Sequence, residues 1–257
     1  MLSLQKLQKE IRSCANPEKA KLLSRFFKTG KGEYAEGDIF LGIMVPTQRI
    51  IAKKFFNLSI SNVERLLHSK YHEERLIALF ILIYQFEKGD EKTKGKIFSL
   101  YLANTKHINN WDLVDLSAPK IVGEFLFSQT VAGRGLTTPF ETLRTGSGDP
   151  VRRPNGVLKK LAQSNDLWER RIAVLATFQY IKYNSFKESL EIAELLLEDK
   201  HDLIHKSVGW MLREVGKRNQ ETEEEFLKKY AKEMPRTMLR YSIERFEEKK
   251  RREYLSS

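Results

Sequence analysis

Trp111, Asp112 and Asp115 stand within five residues in "NNWDLVDLSAP" (109–119), a stretch that otherwise reads as helix. Helix interiors disfavour Asp, whose carboxylate competes for nearby backbone groups. Asp112 falls in the first turn, where a negative charge suits the helix dipole. Asp115 lies a full turn further in, beyond the reach of that explanation. It shares a helix face with Trp111, four residues back. A carboxylate desolvated beside an indole, in a chain of net charge +11, is costly unless it meets a cation. A cationic ligand or a cation-like transition state would meet that need.

The elements that must position these residues read as helices. "LSLQKLQKEI" puts Leu4, Leu7 and Ile11 on one face. "FLGIMVPTQRIIAKKFF" turns at Pro46 and continues as helix, and "SISNVERLLHSK" opens on Ser or Asn caps. No convincing set of strands is present, so the expected class is all-α. Three segments repeat a pattern of helix end, polar turn and apolar helix: 66–82, 161–178 and 196–214. Aligning their basic residues makes Arg75, Arg171 and Lys206 equivalent. Arg171 and Lys206 are 35 residues apart, and a step of 36 from Arg75 reaches Trp111. Such spacing is that of helical-pair solenoids. The expected architecture is a HEAT-like helical-repeat solenoid, one domain over 1–257, whose concave face is lined by the second helix of each pair. Trp210 shares a face with Lys206, although its position also matches the core leucines Leu79 and Leu175. Spacing leaves both a groove and a core reading open for Trp111 and Trp210. Trp168, near a helix start, reads as packing.

The register breaks between Trp111 and Arg171, which are 60 residues apart. The excess is a compositional island at about 130–156, with five of the 14 glycines and three of the seven prolines. It reads as an inserted loop, or a hairpin turning at "GSGDP". Its basic residues are Arg134, Arg144, Arg152 and Arg153, suited either to touching DNA or to a surface insertion.

Bulk properties narrow the partners. Lysine and arginine total 45 against 34 acids, at a pI near 9.5, which favours a polyanion such as nucleic acid. The single cysteine, Cys14, excludes an internal disulfide and a cysteine-based zinc site. The start lacks a signal-peptide core, and the longest apolar run, "LIALFILIY" (76–84), is too short to span a bilayer. A cytoplasmic setting with no membrane contact is expected. His68 with His72, and His201 with His205, have i, i+4 spacing, but without supporting ligands they read as partly exposed turn residues. No P-loop, dinucleotide fingerprint or nucleophile elbow occurs, so no cofactor and no metal is expected. The tail carries an apolar stripe (Met238, Leu239, Tyr241, Ile243, Phe246) and a "KKRRE" run that reads as a solvated end.

Five stretches carry a family resemblance: "FLGIMVPTQR" (40–49), "WDLVDLSAP" (111–119), "LWERRIAVL" (167–175), "KSVGWMLREVGKRN" (206–219) and "PRTMLRYSIERF" (235–246). With them the chain resembles the bacterial DNA alkylation repair glycosylases of the AlkD family, built from HEAT-like repeats. The resemblance implies excision of cationic N-alkylated purines, 3-methyladenine and 7-methylguanine, from double-stranded DNA, without flipping the base into a pocket. It implies that Trp111, Asp115, Arg171 and Trp210 surround the damaged nucleotide. Asp115, Trp111 and Trp210 become the expected catalytic set. Arg171 holds a phosphate, and Lys206, Arg75, Arg170 and Arg213 complete the expected DNA contacts. The enzyme is expected to act as a monomer. The alternative is a non-catalytic binder of branched or distorted DNA that uses the same basic groove and the insertion.

Overall fold

The computed structural model describes residues 3–133 and 154–256. Most of the 130–156 insertion, with Arg134, Arg144, Arg152, Arg153 and the "GSGDP" turn, lies outside the described residues. Every regular element among the described residues is helical, as expected; the lone strand-like pairing is a bridge between Ile39 and Tyr71. No described helix is long and apolar enough to cross a membrane. The chain divides into two compact units, Met1–Ser117 and Ala118–Ser257.

The first unit holds α1 (Leu4–Ser13), α2 (Pro17–Phe26), α3 (Val45–Lys54), α4 (Ile60–Leu67), α5 (His72–Lys88), α6 (Glu91–Ala103), a 3-10 turn (Thr105–His107) and nearly all of α7 (Trp111–Ala118). Capping chemistry sets the helix starts. Ser3 accepts from Lys6 N, Asn16 from Lys19 N with Pro17 behind it, and Asp90 from Thr93 N. α3, α4 and α6 pack on α5, whose run from Leu76 to Ile83 is buried throughout. A helix apolar on all sides must be covered on all sides.

The first turn of α5 is different. His72, Glu73, Glu74 and Arg75 are consecutive, polar and buried. Glu73 accepts the backbone N–H groups of Leu41, Gly42 and Ile43 at 2.8, 2.8 and 3.1 Å. This explains "FLGIM": the loop turns its amides onto one carboxylate, and charge-assisted bonds of this kind contribute about 1.5–3 kcal/mol each. Gly42 sits at φ +82°, and a Cβ there would lie 2.1 Å from the Asn16 carbonyl, so only glycine fits.

The second unit opens on a π-helical segment (Pro119–Gly123) and continues through α8 (Glu124–Val131), α9 (Pro154–Ala162), α10 (Leu167–Lys182), α11 (Lys187–Leu195), α12 (Asp202–Gly216), α13 (Gln220–Tyr230), α14 (Arg236–Ser242), a 3-10 turn (Ile243–Arg245) and α15 (Glu248–Ser256). Pro119 has no N–H to give the helical ladder, a local reason for the widened turn. The π segment packs on α10, α10 on α12 and α12 on α14, so second helices of successive pairs lie side by side as in a helical-repeat stack. Glycines permit these contacts. A Cβ on Gly123 would lie 2.4 Å from Ala176 O, and one on Gly209 would lie 2.4 Å from Met238 O. At the C-terminal end Met238, Leu239 and Ile243 are buried while Tyr241 is exposed, and α15 buries none of its residues.

Helix starts refine the repeat register. Asp115, Arg171 and Lys206 are each the fifth residue of their helices, whereas Trp111 is the first of its own. The acid, rather than the indole, therefore occupies the position that Arg171 and Lys206 take in the other repeats, within the one- or two-residue latitude of helix boundaries.

Candidate functional site

In the first unit, α7 presents Trp111 and Asp115, both half-buried, and Asp112, which is buried. At the start of the helix the Trp111 backbone N–H donates to Asn110 Oδ1 at 2.8 Å. The indole is held by two phenylalanines from the end of α2. Phe27 stacks on it at 5.0 Å and 13°, and Phe26 meets it edge-on at 5.9 Å. Such pairs contribute about 0.5–1.5 kcal/mol beyond their buried area. Phe27 is buried, but Phe26 is 64% exposed, so the aromatic cluster reaches the surface.

Asp112 does more than cap. Its Oδ1 accepts from Leu113 N at 2.9 Å, and its Oδ2 lies 2.8 Å from His72 Nε2. The other ring nitrogen, Nδ1, lies 2.8 Å from Asp38 Oδ2. Asp38 also receives Arg75 Nη2 at 2.7 Å and Asn110 Nδ2 at 3.3 Å. Two carboxylates and two cations thus form a buried set. Both imidazole nitrogens face carboxylate oxygens, so both must carry protons if the carboxylates are ionised. Burial alone would lower the His72 pKa, but the charge and hydrogen bond of Asp112, with those of Asp38, push it up to about 9. Burial would raise the Asp38 pKa, and His72 and Arg75 together hold it below the usual range.

Two expectations change here. Arg75, expected among the DNA contacts, is 5% exposed, with its guanidinium on Asp38 and on the Ser69 carbonyl at 3.2 Å. Its charge is committed to a buried acid that would otherwise be unpaired. His72, read as a partly exposed turn residue, is buried at the centre of this network. Asp38 and Asn110 went unnoticed in the sequence because Asp38 lies 34 residues from His72, and Asn110 lies 72 residues from Asp38, to which it donates. His68 behaves more as expected. Exposed at the surface, it stacks on His107 at 4.1 Å, and its Nε2 lies 2.6 Å from Asn104 Oδ1.

In the second unit, α10 and α12 carry the remaining candidates. Arg171 is 5% exposed and donates Nη1 to the Leu203 carbonyl at 2.5 Å. Arg170 is pinned by Asp199 at 2.6 Å and by the Ser164 and Asn165 carbonyls at 3.0 Å. Lys206 is half-buried, with its Nζ 2.7 Å from Asp202. Arg213 pairs with Glu244. Trp210 is half-buried, unlike the Leu79 and Leu175 of the aligned positions, which are sealed. Its Nε1 donates to Glu214 at 3.1 Å, and its ring lies 6.5 Å from Phe178. Trp168 is buried packing, and Asp166 caps its helix. His201 caps α12 by accepting from Leu203 N, and His205 Nε2 lies 2.5 Å from the Asp199 carbonyl. Among the described residues no three His, Cys, Asp or Glu side chains gather as a metal site.

Two comparisons bear on this arrangement. A family model described as DNA alkylation repair enzyme matches residues 7–246. A solved structure, described as a predicted DNA alkylation repair enzyme from Enterococcus faecalis, shares 16% identity with the chain. That match covers 91% of this chain and 97% of the other, at a TM-score of 0.66, which is a likeness of fold. Comparison with curated proteins finds no match.

Proposed function

This chain belongs to the DNA alkylation repair enzyme family, and on that premise we propose that it is a monofunctional glycosylase that releases positively charged N-alkylated purines, such as 3-methyladenine and 7-methylguanine, from duplex DNA. One arrangement supports this reading: a half-buried carboxylate, Asp115, one helical turn from an indole, Trp111, that two phenylalanines hold in place.

The chemistry follows from charge. An N-alkylated purine already carries a positive charge, so it leaves as a neutral base when the C1′–N bond breaks and takes the electron pair. The sugar is left oxocarbenium-like. Asp115 stabilises that cation and orients the water that adds to C1′, and the water's second proton is lost to solvent. The products are free base and an abasic site. Trp111 and Trp210 pack on sugar and backbone, and their faces favour a cationic neighbour. Arg171, Lys206, Arg170 and Arg213 serve the phosphates once DNA competes for the partners that now engage them. The lesion is processed without swinging the base into a pocket, by a monomer acting in the cytoplasm.

Release of 7-methylguanine from methylated duplex DNA tests the reading. Wild type should release base, and Asp115→Asn should bind the duplex while losing roughly 100-fold or more in rate, the scale of removing one electrostatic stabiliser. Equal, slow release by both proteins would sink the catalytic assignment. Tight binding of branched DNA with no release would point to a binder instead.

A further inference from the structure

We propose that His72 is a positioning residue for base release, setting the place of Trp111 and of the turn that carries Asp115. This inference rests on the glycosylase reading above.

Two independent routes run from one imidazole to α7. The polar route is the 2.8 Å contact from Nε2 to Asp112 Oδ2. Asp112 is the residue after Trp111 and lies three before Asp115, so any shift of its carboxylate rotates the first turn of the helix. The apolar route is through the ring. His72 stacks on Phe40 at 4.4 Å and 22° and lies 5.1 Å from Phe27, and Phe27 stacks on Trp111. The opposite edge of the ring is fixed in turn. Nδ1 meets Asp38, and Asp38 is held by Arg75 from α5 itself and by Asn110, the residue before Trp111. Residues 110 and 112 are therefore both tied, on either side of Trp111, to a set centred on His72.

A stable core does not need this arrangement. Buried ion pairs often do no more for stability than apolar residues of the same volume would. What they supply is a fixed geometry, because each charge is costly anywhere except opposite its partner. Side chains that hold a reacting group without touching substrate act in this way, and a misplacement of about 1 Å at the reacting group can cost 100-fold in rate.

The two amide replacements of histidine separate positioning from bulk packing. Both remove the ring and its charge. His72→Gln keeps a donor near the Nε2 position, facing Asp112, and His72→Asn keeps one near Nδ1, facing Asp38. The ring's packing route is lost in both alike, so the polar contact to Asp112 separates them, and single-turnover release of 7-methylguanine should fall at least about 10-fold further in His72→Asn than in His72→Gln. Duplex affinity should change less than about 2-fold in both, since His72 is buried away from the surface that a phosphate can reach. Thermal melts confirm folding. Should His72→Asn fail to fold, Asp112→Ala cuts the same contact from the other end and carries the same expectation. Wild-type rates in the folded Asn variant, or equal losses in Gln and Asn, would overturn the inference. If wild type itself releases no base, the glycosylase reading fails separately. The position of Trp111 then decides, through its indole N–H resonance assigned with Trp111→Phe. That resonance should move further in His72→Asn than in His72→Gln, and no movement in the Asn variant would overturn the inference.

Discussion

His72 Nε2 and Asp112 Oδ2 lie 2.8 Å apart in the core of the first unit, one residue from the indole that heads α7. Burial of the imidazole, opposed by Asp112 and Asp38, leaves its pKa at about 9, above the 6.5 of the unfolded chain. Below about 6.5 both folded and unfolded states hold the proton, and the interaction contributes in full. As pH rises the unfolded state loses the proton first, so stability falls and the contribution is gone once pH passes 9. Urea titrations at pH 6 and pH 10 should show a loss larger in wild type than in His72→Gln by on the order of 2–3 kcal/mol, the titration of Glu223 being common to both proteins. An equal loss in that variant would assign the titration to another group.

Arg75 and Lys206 should separate stability from DNA contact. Arg75→Ala leaves Asp38 buried with one cation fewer, and breaking such a pair costs about 3–5 kcal/mol. Lys206 pairs with Asp202 across a partly exposed turn, and Lys206→Ala should cost under about 1 kcal/mol. The salt dependence of duplex affinity should fall by about one unit in Lys206→Ala and stay unchanged in folded Arg75→Ala. A lower salt slope in Arg75→Ala would restore it to the DNA-contact set.

Glu223 should be a stability liability at alkaline pH. It is buried, and its Oε1 has no hydrogen-bond partner. Burial, aided by Glu224 and offset in part by Arg213, pushes its pKa up to about 8. Between the ordinary value and 8 the folded state alone keeps the proton, so stability declines as pH rises through this window. Glu223→Gln should be more stable than wild type by about 1–3 kcal/mol at pH 9, with the difference vanishing near pH 5. Denaturation curves at the two pH values measure this, and a gain that persists at pH 5 would point to packing instead.

Gly209→Ala should loosen α12 from α14. The added methyl meets Met238 O at 2.4 Å and Tyr241 Cβ at 2.6 Å, and overpacking of this kind costs about 1–3 kcal/mol. A melting temperature equal to that of wild type would show that the helices can separate freely.

The helical class and the repeated helix pairs were legible along the chain, because 3.6-residue periodicity acts over a few neighbours, whereas the Ser or Asn cap expected at the start of α4 makes no side-chain hydrogen bond. The contrast between the two acids was legible too, since Asp112 lies in the first turn of α7 and Asp115 does not. Burial of charge was not legible. Arg75, Arg171 and Lys206 look equivalent in spacing, yet Arg75 is committed to Asp38, Arg171 donates to a backbone carbonyl and Lys206 stays half-buried. His72 carried no local sign of its partners, because Asp38 and Asp112 approach it from 34 and 40 residues away. A side chain's periodicity says which face it occupies. Which opposite charge the packing brings to that face, and therefore whether a cation meets solvent or a buried acid, is decided only when distant segments close on one another.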